Sequence, residues 1–303
     1  MRGKKQLGTP AMRLALAALL SALAAPVAAA PLPEPVAAML RAAGDDALAT
    51  VAAVAKKANP GSTAEVDALV AEITAERTAA RVARLADQGF IQGWSGEGAF
   101  GGTFTTGNTE ERGIAASLAV RKEGLRWRHE LEARADFQKS DGIKTRERLL
   151  AGYQGNYMLS SRLYAYGLLQ WEKDQFVGYD RRFTEGAGLG WIAVNGERLR
   201  LALEAGPALR QTLYVTGVDE NRVSAYGKLN LRWNISKDIA FTEEAGYLVA
   251  RGNDTAFANS ALTAILFGDL SARLSFDVLH ETDPQAGRRN TDTITRVSVV
   301  YDF

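Results

Sequence analysis

Between residues 125 and 138 apolar and polar side chains alternate without a break. Leu125, Trp127, His129, Leu131, Ala133, Ala135 and Phe137 share one parity; Arg126, Arg128, Glu130, Glu132, Arg134, Asp136 and Gln138 share the other. A β-strand turns successive side chains to opposite faces, so this period of two predicts a strand with one apolar face and one almost wholly charged. Residues 198–210 repeat the pattern, with Leu199, Leu201, Leu203, Ala205, Pro207 and Leu209 against Arg198, Arg200, Glu204 and Arg210. Residues 114–120, 149–159, 183–193, 229–233, 270–278 and the C-terminal stretch follow the rule less strictly, and 163–171 and 255–266 are ambiguous. From Trp94 onward the segments set off by turn residues number about twelve, an even count such as a closed bacterial outer-membrane barrel requires.

The period is different before Gly89. Val36, Leu40, Ala43, Ala47, Val51 and Val54 recur at helical spacing in an alanine-rich stretch. A break at Asn59-Pro60-Gly61 follows, and Ser62 with Glu65 has the capping-box spacing ahead of a second stripe at Val66, Leu69, Val70 and Ile73. The expectation is a helical hairpin within 30–90, weakly stabilised by its alanine faces unless it packs on a partner. It has the makings of a spacer, a plug or a docking element.

Both ends of the chain carry export signals. Arg2, Lys4, Lys5 and Arg13 precede an apolar run over 14–25, and Val27-Ala28-Ala29 offers a small-residue cleavage site, which predicts a secretory signal peptide over 1–29. The run is shorter than the roughly 20 residues a spanning helix needs. At the other end, Val297, Val299, Tyr301 and Phe303 share the apolar face of a last strand, with Arg296, Ser298 and Asp302 opposite. The triplet Val299, Tyr301 and Phe303 resembles the C-terminal signal read by the barrel-assembly machinery.

Connections after even strands read as short, around Lys122-Glu123-Gly124, Ser160-Ser161, Asn195-Gly196-Glu197, Asn234-Ile235-Ser236 and Gly268-Asp269. Most of those after odd strands read as longer and more polar, over 140–145, 174–181, 212–220, 251–255 and 282–292; the first, Thr106-Gly107-Asn108-Thr109, is tight. Short turns on one side and longer loops on the other are the periplasmic and extracellular asymmetry of outer-membrane barrels. The fold expected is therefore all-β: a transmembrane antiparallel up-and-down β-barrel of about 12 strands over 91–303, preceded by a short α-helical segment on the periplasmic side. Trp94, Trp127, Trp171, Trp191 and Trp233 lie toward strand ends or on outward parity, as interfacial aromatics do. A soluble sandwich would lack this alternation of turn lengths.

Several motifs also occur in a fixed order: Gly93-Trp94-Ser95-Gly96, Gly101, Thr106-Gly107-Asn108-Thr109, Tyr153 with Tyr157, Gly178-Tyr179-Asp180-Arg181-Arg182, Gly186-Ala187-Gly188-Leu189-Gly190 and Glu204-Ala205-Gly206-Pro207. From Gly93 to the end the chain resembles the salt-induced outer-membrane proteins, a family built on a domain of unknown function. The resemblance implies an outer-membrane location, a barrel architecture and an association with salt or envelope stress, and it transfers no catalytic residues. It does not cover the alanine-rich helices.

Candidate chemistry lies on the inward parity. Arg126, Arg128, Glu130, Glu132, Arg134, Asp136, Arg200, Glu204, Arg210 and Arg232 are the expected lumen-lining set, with Glu97, Arg148, Glu172, Arg182, Lys228, Glu244, Arg273, Asp277 and Arg296 beside them. Such a ladder either pairs across strands and seals the barrel or lines a small pore favouring anions. About twelve strands falls between filled barrels and open channels, and the expectation is a closed or narrowly permeable one, passing small solutes or ions. Gly186, Gly188 and Gly190 share inward parity, where they make room for bulky neighbours or bend the sheet.

Charge is balanced, 36 basic against 35 acidic residues, so no global field points to nucleic acid. With two histidines and no cysteine, no usual transition-metal site is expected, and no cofactor motif is present. The competing class is an outer-membrane lipid-acting enzyme, for which His280, near the outer leaflet beside Glu281 and Thr282, is the candidate base. No serine nucleophile motif accompanies it, and a non-enzymatic protein is expected. Expected partners are outer-membrane lipids, lipopolysaccharide and the assembly machinery; Arg288-Arg289 could contact lipopolysaccharide phosphates, with solvated loop charge the default reading, and oligomeric state is not legible.

Overall fold

The computed structural model describes residues 31–45, 47–89, 91–106, 111–140, 143–250 and 252–303. The signal peptide expected over 1–29 and the Gly107-Asn108 turn lie outside the described residues. The chain divides into two compact units, Met1–Arg81 and Val82–Phe303.

In the first unit the expected hairpin is instead three helices: α1 (Glu34–Ala42), α2 (Leu48–Ala58) and α3 (Thr63–Asp87), the last preceded by a 3-10 turn over Pro60–Ser62. The first helical stripe breaks after Ala42, ahead of Gly44-Asp45, because glycine and aspartate favour turn backbone over helix. Arg77 of α3 donates to the carbonyls of Arg41 and Ala43 (3.2 and 2.7 Å) and to Asp45 (2.5 Å), satisfying carbonyls left over at the end of α1. Leu40, Leu48, Val66, Leu69 and Ile73 form the core of this unit, together with Ala37, Ala52 and Ala55.

The second unit contains a closed antiparallel barrel in which every strand pairs with its sequence neighbours and the first pairs with the last. Its strands are β1 (Trp94–Thr106), β2 (Glu111–Glu123), β3 (Trp127–Ser140), β4 (Ile143–Met158), β5 (Leu163–Asp174), β6 (Tyr179–Asn195), β7 (Leu199–Tyr214), β8 (Asp219–Asn234), β9 (Ile239–Ala250), β10 (Thr255–Phe267), β11 (Leu270–Glu281) and β12 (Thr291–Asp302). Closure removes the unpaired strand edges that lipid cannot satisfy.

The apolar parity points outward. Leu118, Leu131, Leu189, Leu262, Leu274 and Val299 are all exposed on the outer wall. A soluble barrel would bury these positions, and so continuous an apolar outer surface is stable only against lipid. Trp127 and Tyr157 pack together at the short-turn rim, their ring centroids 5.0 Å apart. His129 joins them, stacked on Trp127 and within 2.9 Å of the Tyr153 hydroxyl, so it belongs to the aromatic rim. At the C-terminus, Val297, Val299, Tyr301 and Phe303 lie on the outer wall while Asp292, Ile294, Arg296 and Val300 are buried inside.

The expected loop asymmetry is smaller than the sequence suggested. The connections over 175–178 and 215–218 are four residues each, and only 282–290, with nine, is long among the described loops. Polar segments read as loops are strand extensions: Tyr179 and Thr212 both pair in the ladder, beside Arg182 of the inward set. Thr212 accepts from Arg182, whose guanidinium lies over the Tyr179 ring, so the strands continue past the apolar band. The ambiguity over 163–171 has a related cause, since β5 turns Tyr164, Tyr166 and Leu168 inward while Leu163, Leu169 and Trp171 face out.

Candidate functional site

The inward parity of the strands encloses a cavity of about 820 Å³, contiguous with a smaller one of about 370 Å³ along the wall formed by β1–β3 and β8–β12. Arg128, Glu130, Glu132, Arg134, Arg200, Glu204, Arg210 and Arg232 line the larger cavity, and Asp136 the smaller. Arg126 does not join them. It lies in the turn ahead of β3, exposed, donating to the Tyr157 hydroxyl at 3.2 Å, because the strand begins two residues later than the alternation implied.

Inside the barrel Glu204 of β7 gathers polar groups from three other strands. It accepts from Gln154 (2.9 Å) and from the Tyr164 hydroxyl (2.7 Å), and Lys228 stands 3.3 Å away. The Arg128 guanidinium lies over the Tyr164 ring, 5.1 Å from its centroid. Glycines make this packing fit. A Cβ on Gly190, the cross-strand partner of Tyr164, would fall 2.1 Å from the Tyr164 ring, and one on Gly188 would fall 2.2 Å from the Ala205 carbonyl oxygen and 2.8 Å from the Tyr166 hydroxyl. Of the two sequence readings of this glycine run, room for a bulky inward neighbour accounts for Gly190, whereas at Gly188 the backbone of β7 comes closest.

On the opposite wall Arg296 of β12 joins two carboxylates. It donates to both oxygens of Asp136 (2.7 and 2.9 Å) and to Asp277. Arg273 holds Glu97 in a two-pronged contact at 2.5 and 2.7 Å. Forked guanidinium–carboxylate contacts of this kind are the strong form of the hydrogen bond.

Toward the long-loop end the interior closes among the described residues. Arg182 donates to Glu281 at 2.8 Å and lies 3.9 Å from the Tyr179 ring centroid; both charged side chains are under 8 % exposed. Arg146 pairs with Asp174 at 3.4 Å and Arg148 with Glu172 at 3.3 Å. Asp174 also accepts from the backbone N–H groups of Phe176 and Val177, drawing the β5–β6 connection in so that Val177 is buried. Arg288 donates to the Phe176 carbonyl, tying the last loop to this connection. Asp174 and Glu281 were missing from the sequence-derived lumen set because they sit where the apolar alternation has already stopped.

The short-turn end differs. Arg200 and Arg232 are exposed there while lining the same cavity, and Arg121 and Asn195 border it. The interior is thus a charged chamber, accessible at the short turns and packed at the loops.

His280 faces outward near the long-loop end, its Nδ1 2.8 Å from the Thr291 hydroxyl. Glu281 beside it points inward to Arg182, so the pair the sequence placed together is split between the two faces of the sheet. Among the described residues no group of three or more His, Asp or Glu side chains is arranged to hold a metal.

Residues 98–303 match the family described as protein of unknown function, DUF481. The chain belongs to this family. The match runs from within β1 to the end of β12 and leaves the three helices outside it. The uncharacterized protein YdiY of Escherichia coli (strain K12) is 24 % identical over 200 residues, spanning 65 % of this chain and 79 % of that protein. Among solved structures, the NanC porin in a rhombohedral crystal form is 12 % identical with a TM-score of 0.48, covering 68 % of this chain and 100 % of the porin. An outer membrane channel from Pseudomonas putida F1 is 10 % identical with a TM-score of 0.45, covering 71 % of this chain and 97 % of the channel.

Proposed function

We propose that this outer-membrane barrel is narrowly permeable to small solutes or ions, anions above all, and is not an enzyme. Export through the Sec pathway and a periplasmic helical segment are part of the reading, as are contacts with outer-membrane lipids and lipopolysaccharide. The observation that carries it is the interior: a cavity of about 820 Å³ walled by arginine, lysine and carboxylates, with its accessible side chains at the short-turn end. A purely structural barrel is better served by an apolar or fully paired filling, since half-satisfied buried charge destabilises. Here three inward arginines, Arg200, Arg210 and Arg232, hold no ion pair among the described residues, and this unpaired surplus favours anions.

The lipid-acting alternative gains little from the geometry, because His280 has a threonine for company and its neighbouring carboxylate faces the other way. Single-channel recording of the refolded chain in a planar bilayer under a salt gradient tests the proposal. Small, steady, anion-biased currents are expected. Zero current from a demonstrably folded barrel would overturn it.

A further inference from the structure

Strands β7 and β8 place arginine directly opposite arginine twice, Arg200 across from Arg232 and Arg210 across from Arg222. Between these pairs, Glu204 stands across from Lys228, the opposite-charge arrangement that cross-strand neighbours normally take. Like charges directly opposite destabilise a sheet, so each arginine pair calls for a compensating charge. The upper pair has a partial answer: Arg222 is paired with Glu220 at 2.5 Å, and Arg210 donates to the Thr255 hydroxyl at 2.7 Å. The lower pair makes no contact ion pair among the described residues; Arg232 feels the charge of Glu97 only at longer range, and Arg273 already holds that carboxylate.

The surroundings of that lower pair are those of an anion cradle. Arg200 is flanked in register by Asn195 of β6 and Arg232 by Thr242 of β9, so one row across four strands reads amide, guanidinium, guanidinium, hydroxyl. Of the other carboxylates lining the cavity, Glu97 is held by Arg273, Glu204 by Lys228, Gln154 and Tyr164, and Glu244 lies 3.8 Å from Lys228, while Asp302 stands on β12, four strands around the barrel from β8. Opposed strand residues have Cα atoms about 5 Å apart, which lets two forked guanidinium groups converge on one oxyanion.

We propose that Arg200 and Arg232, flanked by Asn195 and Thr242, form a binding site for an oxyanion group, a carboxylate or a phosphate, at the short-turn mouth of the chamber. The site rests on the reading of that mouth as open to water, and it does not require that the barrel conduct. It captures the anionic part of a solute before the solute meets the Glu204 layer.

The test is calorimetric titration of the refolded full chain with sodium phosphate and, separately, sodium acetate, against sodium chloride at matched ionic strength. Saturable phosphate binding is expected, weakened by about tenfold or more in either Arg200→Gln or Arg232→Gln, with the double variant little worse than each single. Comparable saturation by acetate assigns the site to carboxylates as well; its absence assigns it to phosphate. Lys237→Gln, on an exposed short turn, is the charge control and should bind as the parent does. Removing one arginine should also raise the unfolding midpoint in phosphate-free buffer by relieving repulsion, a readout that confirms folding. Binding that survives in the double variant, or that falls equally in Lys237→Gln, overturns the site. A separate Ala202→Cys chain, labelled by a water-soluble thiol reagent, checks the mouth itself: labelling without phosphate binding refutes the site alone, and failure to label refutes the open mouth together with the site.

Discussion

At the residue scale the interior is held by a few side chains whose removal strands a charge. Arg296 serves two buried carboxylates, Asp136 and Asp277, each under 7 % exposed. Replacing it by methionine keeps the volume, strips Asp136 of its forked partner and leaves Asp277 only Arg134 at 3.9 Å, so Arg296→Met is expected to destabilise the barrel by about 3–5 kcal/mol. Urea unfolding in lipid vesicles measures this, and a loss under 1 kcal/mol would show that the network does not carry stability. The glycines opposite the tyrosines make an independent claim. Gly190→Val places a side chain into the Tyr164 ring and is expected to cost about 1–3 kcal/mol by overpacking. Combining it with Tyr164→Ala removes the clash, so the double variant should be more stable than the sum of the two single losses. Simple additivity would mean that Gly190 serves strand curvature instead.

At the scale of elements, the strands separate what sequence shows from what it hides. The period-two alternation over 125–138 and 199–209 yields β3 and β7 because their outer faces meet lipid and their inner faces are charged, and those two surroundings differ as much as any in a protein. β5 was obscure because its inner face carries Tyr164, Tyr166 and Leu168, so both parities are apolar; the paired signal lay in the glycines two apart on β6. Polar strand ends read as loops for a similar reason, since nothing in a local window tells a solvated Asp174 from one paired with Arg146, 28 residues away. The inward set was legible by parity, apart from Arg126, whereas which arginines lack carboxylate partners depends on register and was not. The outer face supports a test of its own. Leu262 and Leu274 face each other across β10 and β11, and Leu262→Arg, near the middle of β10, should cost about 2–4 kcal/mol of folding free energy in vesicles. An unchanged unfolding midpoint would place this wall in water.

For the whole molecule, a twelve-strand barrel is intermediate in bore, so its side chains decide whether it conducts. The layer at the loop end does this through Arg182–Glu281, Arg146–Asp174 and the buried Val177. Glu281→Ala releases Arg182 and with it one anchor of that layer, so conductance should rise above the parent's; no change would mean that the resistance lies elsewhere. The family match adds the barrel's kinship and no activity, which leaves the chamber as the feature to test.

The most direct test uses the absence of cysteine from the chain. Single cysteines at Asn230, which borders both cavities, and at Thr212, 3 % exposed in the loop-end layer, would be exposed to a water-soluble thiol reagent in folded barrels. Rapid labelling of Asn230→Cys and protection of Thr212→Cys until the protein is unfolded is the result this account predicts. Equal labelling at both, or labelling of Thr212→Cys alone, would contradict a chamber that opens at the short turns and closes at the loops.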